Sequence, residues 1–300
     1  MTYHDPVMLK ESTEALKIKP EGIYVDATFG GGGHSKEILK HLKGGKLYAF
    51  DQDNDSASQV MDSENLVFID QNFRYLKNFL KIHQALPVDG ILADLGISSH
   101  QIDVPGRGFS FREDGPLDMR MNQNQELTAH EVINQYELDE LTRIFRQYGE
   151  LKEARRLAKV IVEKRQIQAI DTIKELIDCV QKLALPHKLN KFLAKLFQAI
   201  RIEVNGEMDA LKELLSQCPE VLKNGGIMAF ITYHSLEDRL VKNFIRSGRF
   251  DGELEKDFYG NVLKPLEAVN RKPIVPSEEE VERNNRARSA KLRIARKIPV

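Results

Sequence analysis

Cysteine is nearly absent from the chain: Cys179 and Cys218 are the only two among 300 residues, and they form no C-x-x-C pair. That spacing excludes a disulfide framework and a cysteine-ligated metal or redox centre, so no metal is expected, and it fits a reducing compartment. Long apolar runs are missing too. Nothing approaches the roughly 20 residues that cross a bilayer, and Met1-Thr-Tyr-His-Asp-Pro6 carries no signal-peptide pattern. The expectation is a cytoplasmic protein without a membrane partner. Charge of one sign is also not in excess. With 44 basic and 45 acidic residues the formal net charge is −1, so any surface for a polyanion must be a local patch. Two phosphate signatures are absent as well. No Gly-x-x-x-x-Gly-Lys-Ser/Thr occurs, and a dinucleotide fingerprint started at Gly30 or Gly31 meets Ser35 or Lys36 where its third glycine belongs.

What is present is 41% hydrophobic and 30% charged residues, the balance of a globular protein long enough for more than one domain. Its central stretch is Asp26-Ala-Thr-Phe-Gly-Gly-Gly-Gly-His-Ser35. The apolar run Ile23-Tyr24-Val25 before it reads as a buried strand, and Ile38, Leu39 and Leu42 after it fall at helical spacing. Strand, glycine turn and helix in that order suit either an ordinary tight turn or a backbone cradle for a nucleotide-type ligand. With both phosphate fingerprints missing, the cradle fits the amino-acid end of S-adenosylmethionine better than a pyrophosphate.

Further strands are read over Lys46–Phe50, Leu66–Ile69, Asp89–Leu95 and Ile227–Tyr233. Ligands of open α/β sheets bind at the carboxyl ends of the strands, so the residues at these tips are candidates. Asp51, about 20 residues beyond the glycines, stands where a carboxylate accepts from both ribose hydroxyls, while Asp53 suits a helix cap. Phe73 after the third strand either stacks on an adenine or packs in the core. Asp94 ends the fourth strand beside the first loop. A short helix over Ser12–Leu16, capped by Glu11 or Ser12, is expected near the start, and a turn at Asn224–Gly226.

From Pro105 to Met121 runs a loop rich in glycine, proline, arginine and aromatics, the kind of long irregular segment that is more often functional than accidental. Helical patterns follow over Thr128–Tyr136, Leu138–Tyr148, Ala154–Lys164, Thr172–Leu183 and from Lys191. The domain expectation is therefore a core over 1–104, an inserted loop and helical domain over 105–196, and the second half of the core over 197–300. Lys291–Lys297 alternates basic and apolar side chains, as a strand with one wet, positive face does.

Several separated stretches resemble one family: His4-Asp-Pro-Val-Met-Leu-Lys-Glu11, the Asp26–Ser35 loop, Ala49–Asp53, Asp89–Gln101, Arg107–Phe111, Asp114-Gly-Pro-Leu-Asp-Met-Arg-Met121, His234-Ser-Leu-Glu-Asp-Arg239 and Asn285–Arg293. The chain is similar, over nearly its whole length, to the bacterial ribosomal small-subunit methyltransferase H family, also called MraW. The resemblance implies a class I, Rossmann-like α/β methyltransferase core with an inserted all-helical domain. It implies methyl transfer from S-adenosylmethionine to the exocyclic N4 of a cytidine in the decoding region of 16S rRNA within the small ribosomal subunit. By position it places cofactor contacts on Gly32, Gly33, His34, Asp51, Phe73, Asp94 and Gln101. Two departures stand out: Leu189–Leu196 differs from the family pattern, and Tyr233 replaces the usual phenylalanine. Neither is expected to touch the cofactor set.

Amino-methylating enzymes commonly hold their base with an Asp/Asn-Pro-Pro-aromatic stretch after the fourth strand, where this chain has Asp94-Leu-Gly-Ile-Ser-Ser99. Acceptors for the amino group are therefore sought in Ser98 and in the His234–Ser235 tip, with Phe109 or Phe111 stacking on a flipped base. The competing readings are a helix cap for His234 and core packing for the phenylalanines. Arg107, Arg112, Arg120, Arg155, Arg156 and the C-terminal cluster, with Arg286 and Arg288, are candidates for phosphate contact, against intramolecular ion pairing. Rival functions are a non-catalytic RNA-binding assembly factor, a nicotinamide-dependent oxidoreductase, and methylation of DNA cytosine or a small molecule. Whether the chain is a monomer or a homodimer is not fixed by these features.

Overall fold

A computed structural model describes residues 6–299; His4 and Asp5 of the first resemblance stretch lie outside the described residues. In chain order the elements begin with α1 (Leu9–Leu16), β1 (Ile23–Asp26), α2 (Gly33–His41), β2 (Lys46–Asp51), α3 (Asn54–Ala57), β3 (Leu66–Asp70), α4 (Leu76–Ile82) and β4 (Val88–Asp94). Six helices follow: α5 (Ser99–Asp103), α6 (Ala129–Gln135), α7 (Leu138–Gln147), α8 (Ala154–Ile167), α9 (Ile173–Val180) and α10 (Leu189–Asn205). The chain then gives α11 (Glu207–Val221), β5 (Leu222–Thr232), α12 (Ser235–Ser247), β6 (Leu266–Ala268), α13 (Glu278–Arg283) and β7 (Lys291–Lys297).

The strands form one sheet in the order β3-β2-β1-β4-β5-β7-β6. β1 to β5 run parallel, while β7 lies antiparallel to β5 and β6. β4 is buried along almost its whole length, as a central parallel strand covered on both faces must be. Alternate residues divide between two cores. Val25, Ile91 and Phe230 pack with α4, α11 and α12, while Tyr24, Leu92 and Ile231 pack with α1 and α2. Three layers with a reversed seventh strand are the expected Rossmann-like methyltransferase arrangement.

Two local expectations change. α1 begins at Leu9 behind Met8, which takes the left-handed conformation at φ 51° without a side-chain cap, instead of starting at a Glu11 or Ser12 cap. The segment Asn224–Gly226 is no turn between elements but part of β5, where the register jumps between Val88↔Leu222 and Gly90↔Ile227 and Gly225 takes φ 81°. The glycines make a bulge that re-aims the strand.

Two compact units emerge, one of residues up to Gly96 with those from Met208 onward, the other Ile97–Glu207. The second unit begins earlier and ends later than the 105–196 expected, because α5 and the whole of α10 belong to it. Its core joins Val132, Ile133, Phe145, Ile161, Leu176 and Ile200 from α6 to α10. Among the described residues no helix is long and apolar enough to cross a membrane.

Candidate active site

The glycine loop is built from within. Gly30 and Gly32 take φ 52° and 74°, open to glycine and costly to other residues, and a Cβ on Gly32 would come within 2.8 Å of the Phe29 ring. β1 lies between β2 and β4, so the tips at Asp51 and Asp94 flank this loop. Asp51 is committed on both oxygens: Oδ2 accepts from the Gly30 amide at 2.6 Å and Oδ1 from the Asp53 amide at 2.9 Å. It latches the loop to β2 while Asp53 caps α3. Phe73 begins a 3-10 turn after β3 and packs partly buried against the first core. That turn is tied to the β2 tip by Asn72 Nδ2 donating to Gln52 Oε1 at 2.8 Å.

On the other side, the Asp94 amide donates to Thr28 Oγ1 at 2.7 Å, and His34 Nδ1 lies 3.9 Å from Asp94 Oδ2. His34 is buried and its Nε2 lies 3.1 Å from the Val7 carbonyl. Reaching that carbonyl requires the proton on Nε2, which leaves Nδ1 an acceptor aimed toward Asp94. Burial lowers the His34 pKa against the opposing pull of Asp94, so the ring is neutral at neutral pH. Asp26, fully buried at the end of β1, accepts from Ser35 Oγ at 2.7 Å and from the Thr28 amide at 3.1 Å.

Burial raises all three acids, Asp26, Asp51 and Asp94, to about 6. Their hydrogen bonds, and for Asp94 the nearby His34, work in the opposite direction. Three carboxylates and an imidazole acceptor around one loop repel a pyrophosphate and suit hydroxyl donors and cationic groups. The donor set thus fits S-adenosylmethionine, with its ribose, ammonium and sulfonium. Asp26 was not singled out by sequence, although it opens the motif; its strand-end position was the available signal. Tyr233 corrects an expectation. Its hydroxyl donates to Asp94 Oδ1 at 2.7 Å, so this departure does touch the cofactor set.

The catalytic candidates are both helix caps. Ser98 Oγ accepts from the Gln101 amide at 3.2 Å, and the Gln101 side-chain oxygen accepts from the Ser98 amide at 3.0 Å, a reciprocal box at the start of α5 in the second unit. His234 caps α12: Nδ1 faces the Glu237 amide at 3.5 Å, and Nε2 lies 3.2 Å from the Glu237 carboxylate without hydrogen-bond alignment. Ser235 is exposed in the first turn of that helix.

Four of the RNA candidates in the 105–121 loop have partners within the protein, while Arg112 is exposed. Arg107 is 6% exposed and donates to the carbonyls of Arg120 and Met121 at 2.8 and 3.2 Å. Arg120 makes a two-point pair with Asp118 at 2.9 and 2.7 Å and also donates to the Gln123 and Gln125 carbonyls. Phe109 is buried in the helical core, and Phe111 meets Phe197 edge to face at 5.4 Å. A loop this irregular has many backbone carbonyls to satisfy, and Arg107 and Arg120 satisfy four of them. The positive face of β7 is likewise neutralised: Arg293 and Lys291 reach Asp238 at 2.7 and 3.4 Å, and Arg296 reaches Glu267 at 2.7 Å. Arg288 is exposed, and Arg286 half-buried.

Residues 1–298 match the model of the MraW methylase family. The chain is 56% identical over 299 residues to the ribosomal RNA small subunit methyltransferase H of Christiangramia forsetii, covering 99% of each chain. It is 57% identical over 300 residues to the protein of the same name from Flavobacterium johnsoniae, again covering 99% of each. The Cytophaga hutchinsonii counterpart is 56% identical over 295 residues, covering 98% of this chain and 99% of that one.

Proposed function

The chain belongs to the MraW methylase family, and from that premise we propose that it transfers a methyl group from S-adenosylmethionine to the exocyclic N4 of a cytidine in the decoding region of 16S rRNA, acting on the small ribosomal subunit in the cytoplasm. The observation that carries the cofactor half is the set of acceptors around the glycine loop: half-buried Asp51 on one side, buried His34 and half-buried Asp94 on the other. The small-subunit rRNA part of the substrate rests on the names of the relatives, and the cytidine N4 on the resemblance of the sequence motifs. Bound S-adenosylmethionine supplies an electrophilic methyl group on a sulfonium.

The chain's own residues do the rest. Asp51 accepts from the ribose hydroxyls, Phe73 borders the adenine, and the loop at Gly32 and Gly33 brings backbone close to the amino-acid end. Asp94, Gln101 and His34 complete the cofactor contacts. A cytosine amino group is a weak nucleophile because its lone pair is delocalised into the ring, so alignment for in-line displacement is the main contribution. Acceptors near that nitrogen stabilise the positive charge that develops on it; Ser98 and His234 are assigned this role beside their capping roles. Ser235, Arg286 and Arg288 are assigned to the RNA.

The test is transfer of labelled methyl to small subunits lacking their native modifications, with the labelled base mapped. Label on N4 of one decoding-region cytidine supports the proposal. Cofactor binding with no label would sink it in favour of another acceptor. Ser98→Ala and His234→Ala, assayed in single turnover at saturating cofactor, then separate catalysis from capping, since full activity removes the residue from the mechanism.

A further inference from the structure

Tyr233 follows β5, whose neighbour β4 ends in Asp94, and its hydroxyl donates to Asp94 Oδ1 at 2.7 Å across the two strands. Among the described residues no other side chain is shown donating to Asp94. Thr28 Oγ1 receives the Asp94 backbone amide, and His34 presents an unprotonated Nδ1 3.9 Å from Oδ2 because its other nitrogen serves the Val7 carbonyl. Among the described residues Tyr233 is thus the side chain that holds the Asp94 carboxylate. We propose that Tyr233 is a positioning residue of the methyl-transfer site: it fixes Asp94 through Oδ1 and leaves Oδ2, beside His34, as the oxygen that receives a cationic group of the cofactor. This rests on the S-adenosylmethionine reading of the site.

A donor to the ionised form favours that form. The groups facing Asp94 otherwise pull both ways. Burial raises it first, with Asp26 and Glu237 adding to the rise, while His34 and the Tyr233 hydrogen bond act against it. The phenol itself is raised, first by burial and then by Asp94, Glu237 and Glu280, so it stays a donor throughout the working range. Replacing it by phenylalanine keeps the ring that stands 3.4 Å from where a Gly96 Cβ would be and removes only the donor.

The experiment measures S-adenosylmethionine affinity by calorimetry for wild type and Tyr233→Phe from pH 5.5 to 8.5, with KM and kcat on small subunits alongside. The expected result is an acidic limb moved upward by about one pH unit, giving roughly fivefold weaker binding near pH 6 and little change at pH 8.5. KM for the cofactor rises while kcat is retained. In an Asp94→Asn background Tyr233→Phe no longer moves whatever limb Asp26 and Asp51 leave, and it changes affinity by less than about twofold. A loss that is uniform across pH, an equal loss in the Asp94→Asn background, or no change at all overturns the assignment. Wild type that binds no cofactor at any pH overturns the reading of the site itself, a separate outcome.

Discussion

Asp51 has both oxygens engaged by backbone amides, those of Gly30 and Asp53, so it positions the loop in addition to its proposed ribose contact. An amide in its place has one acceptor and turns an N–H toward a donor. Asp51→Asn is expected to lower cofactor affinity at least tenfold, measured by calorimetry, since hydrogen bonds to an ionised group are about twice as strong as neutral ones. The buried acids give a second expectation. With Asp26, Asp51 and Asp94 raised to about 6, each is about half protonated at pH 6, and a cationic ligand favours the ionised forms. Binding therefore releases protons at pH 6 and few at pH 8, which calorimetry in buffers of different ionisation enthalpy reads directly. At this scale the gathering of Asp51, Asp94 and His34 around one loop was legible because each sits at a strand tip or in the glycine motif. Tyr233 was not, since its partner is 139 positions away and nothing in either local sequence names the other.

Elements show where charge is available. The basic end of the chain reads as one patch in sequence, yet β7 pairs Lys291 and Arg293 with Asp238 from α12 and Arg296 with Glu267 from β6, while Arg288 in the preceding turn stays exposed. Arg288→Ala is expected to weaken binding to small subunits and to reduce the salt dependence of log affinity by about one. Arg293→Ala leaves that slope unchanged and lowers the melting temperature instead, because it leaves Asp238 only the longer Lys291 contact; against the cost of burial, the Arg293 hydrogen bond is the main influence holding that carboxyl below its usual range. Helix and strand positions were legible at this scale from apolar period and glycine punctuation. The destinations of the arginines in the 105–121 loop were not, because a carbonyl that needs a donor leaves no mark on composition.

For the whole molecule, the two units make separate stability predictions. Phe109 belongs to the core of the helical unit, and Phe109→Ala is expected to cost about 3–5 kcal/mol there. Hydrogen exchange should lose protection over α6 to α10 and keep it over β1 to β5; an unchanged helical unit with weakened RNA binding would restore the stacking role. The sequence by itself determined the doubly wound core, the glycine turn between β1 and α2, and the presence of a helical insertion. Those follow from local signals: apolar runs of strand length, period-3.6 helices, and glycines where the backbone turns. Only the tertiary structure decided that α5 and all of α10 join the insertion, that Tyr233 holds Asp94, and that Arg107 and Arg120 donate to carbonyls of their own segment. Each of these depends on which strands and helices become neighbours, and hydrogen bonding and burial are properties of neighbours in space.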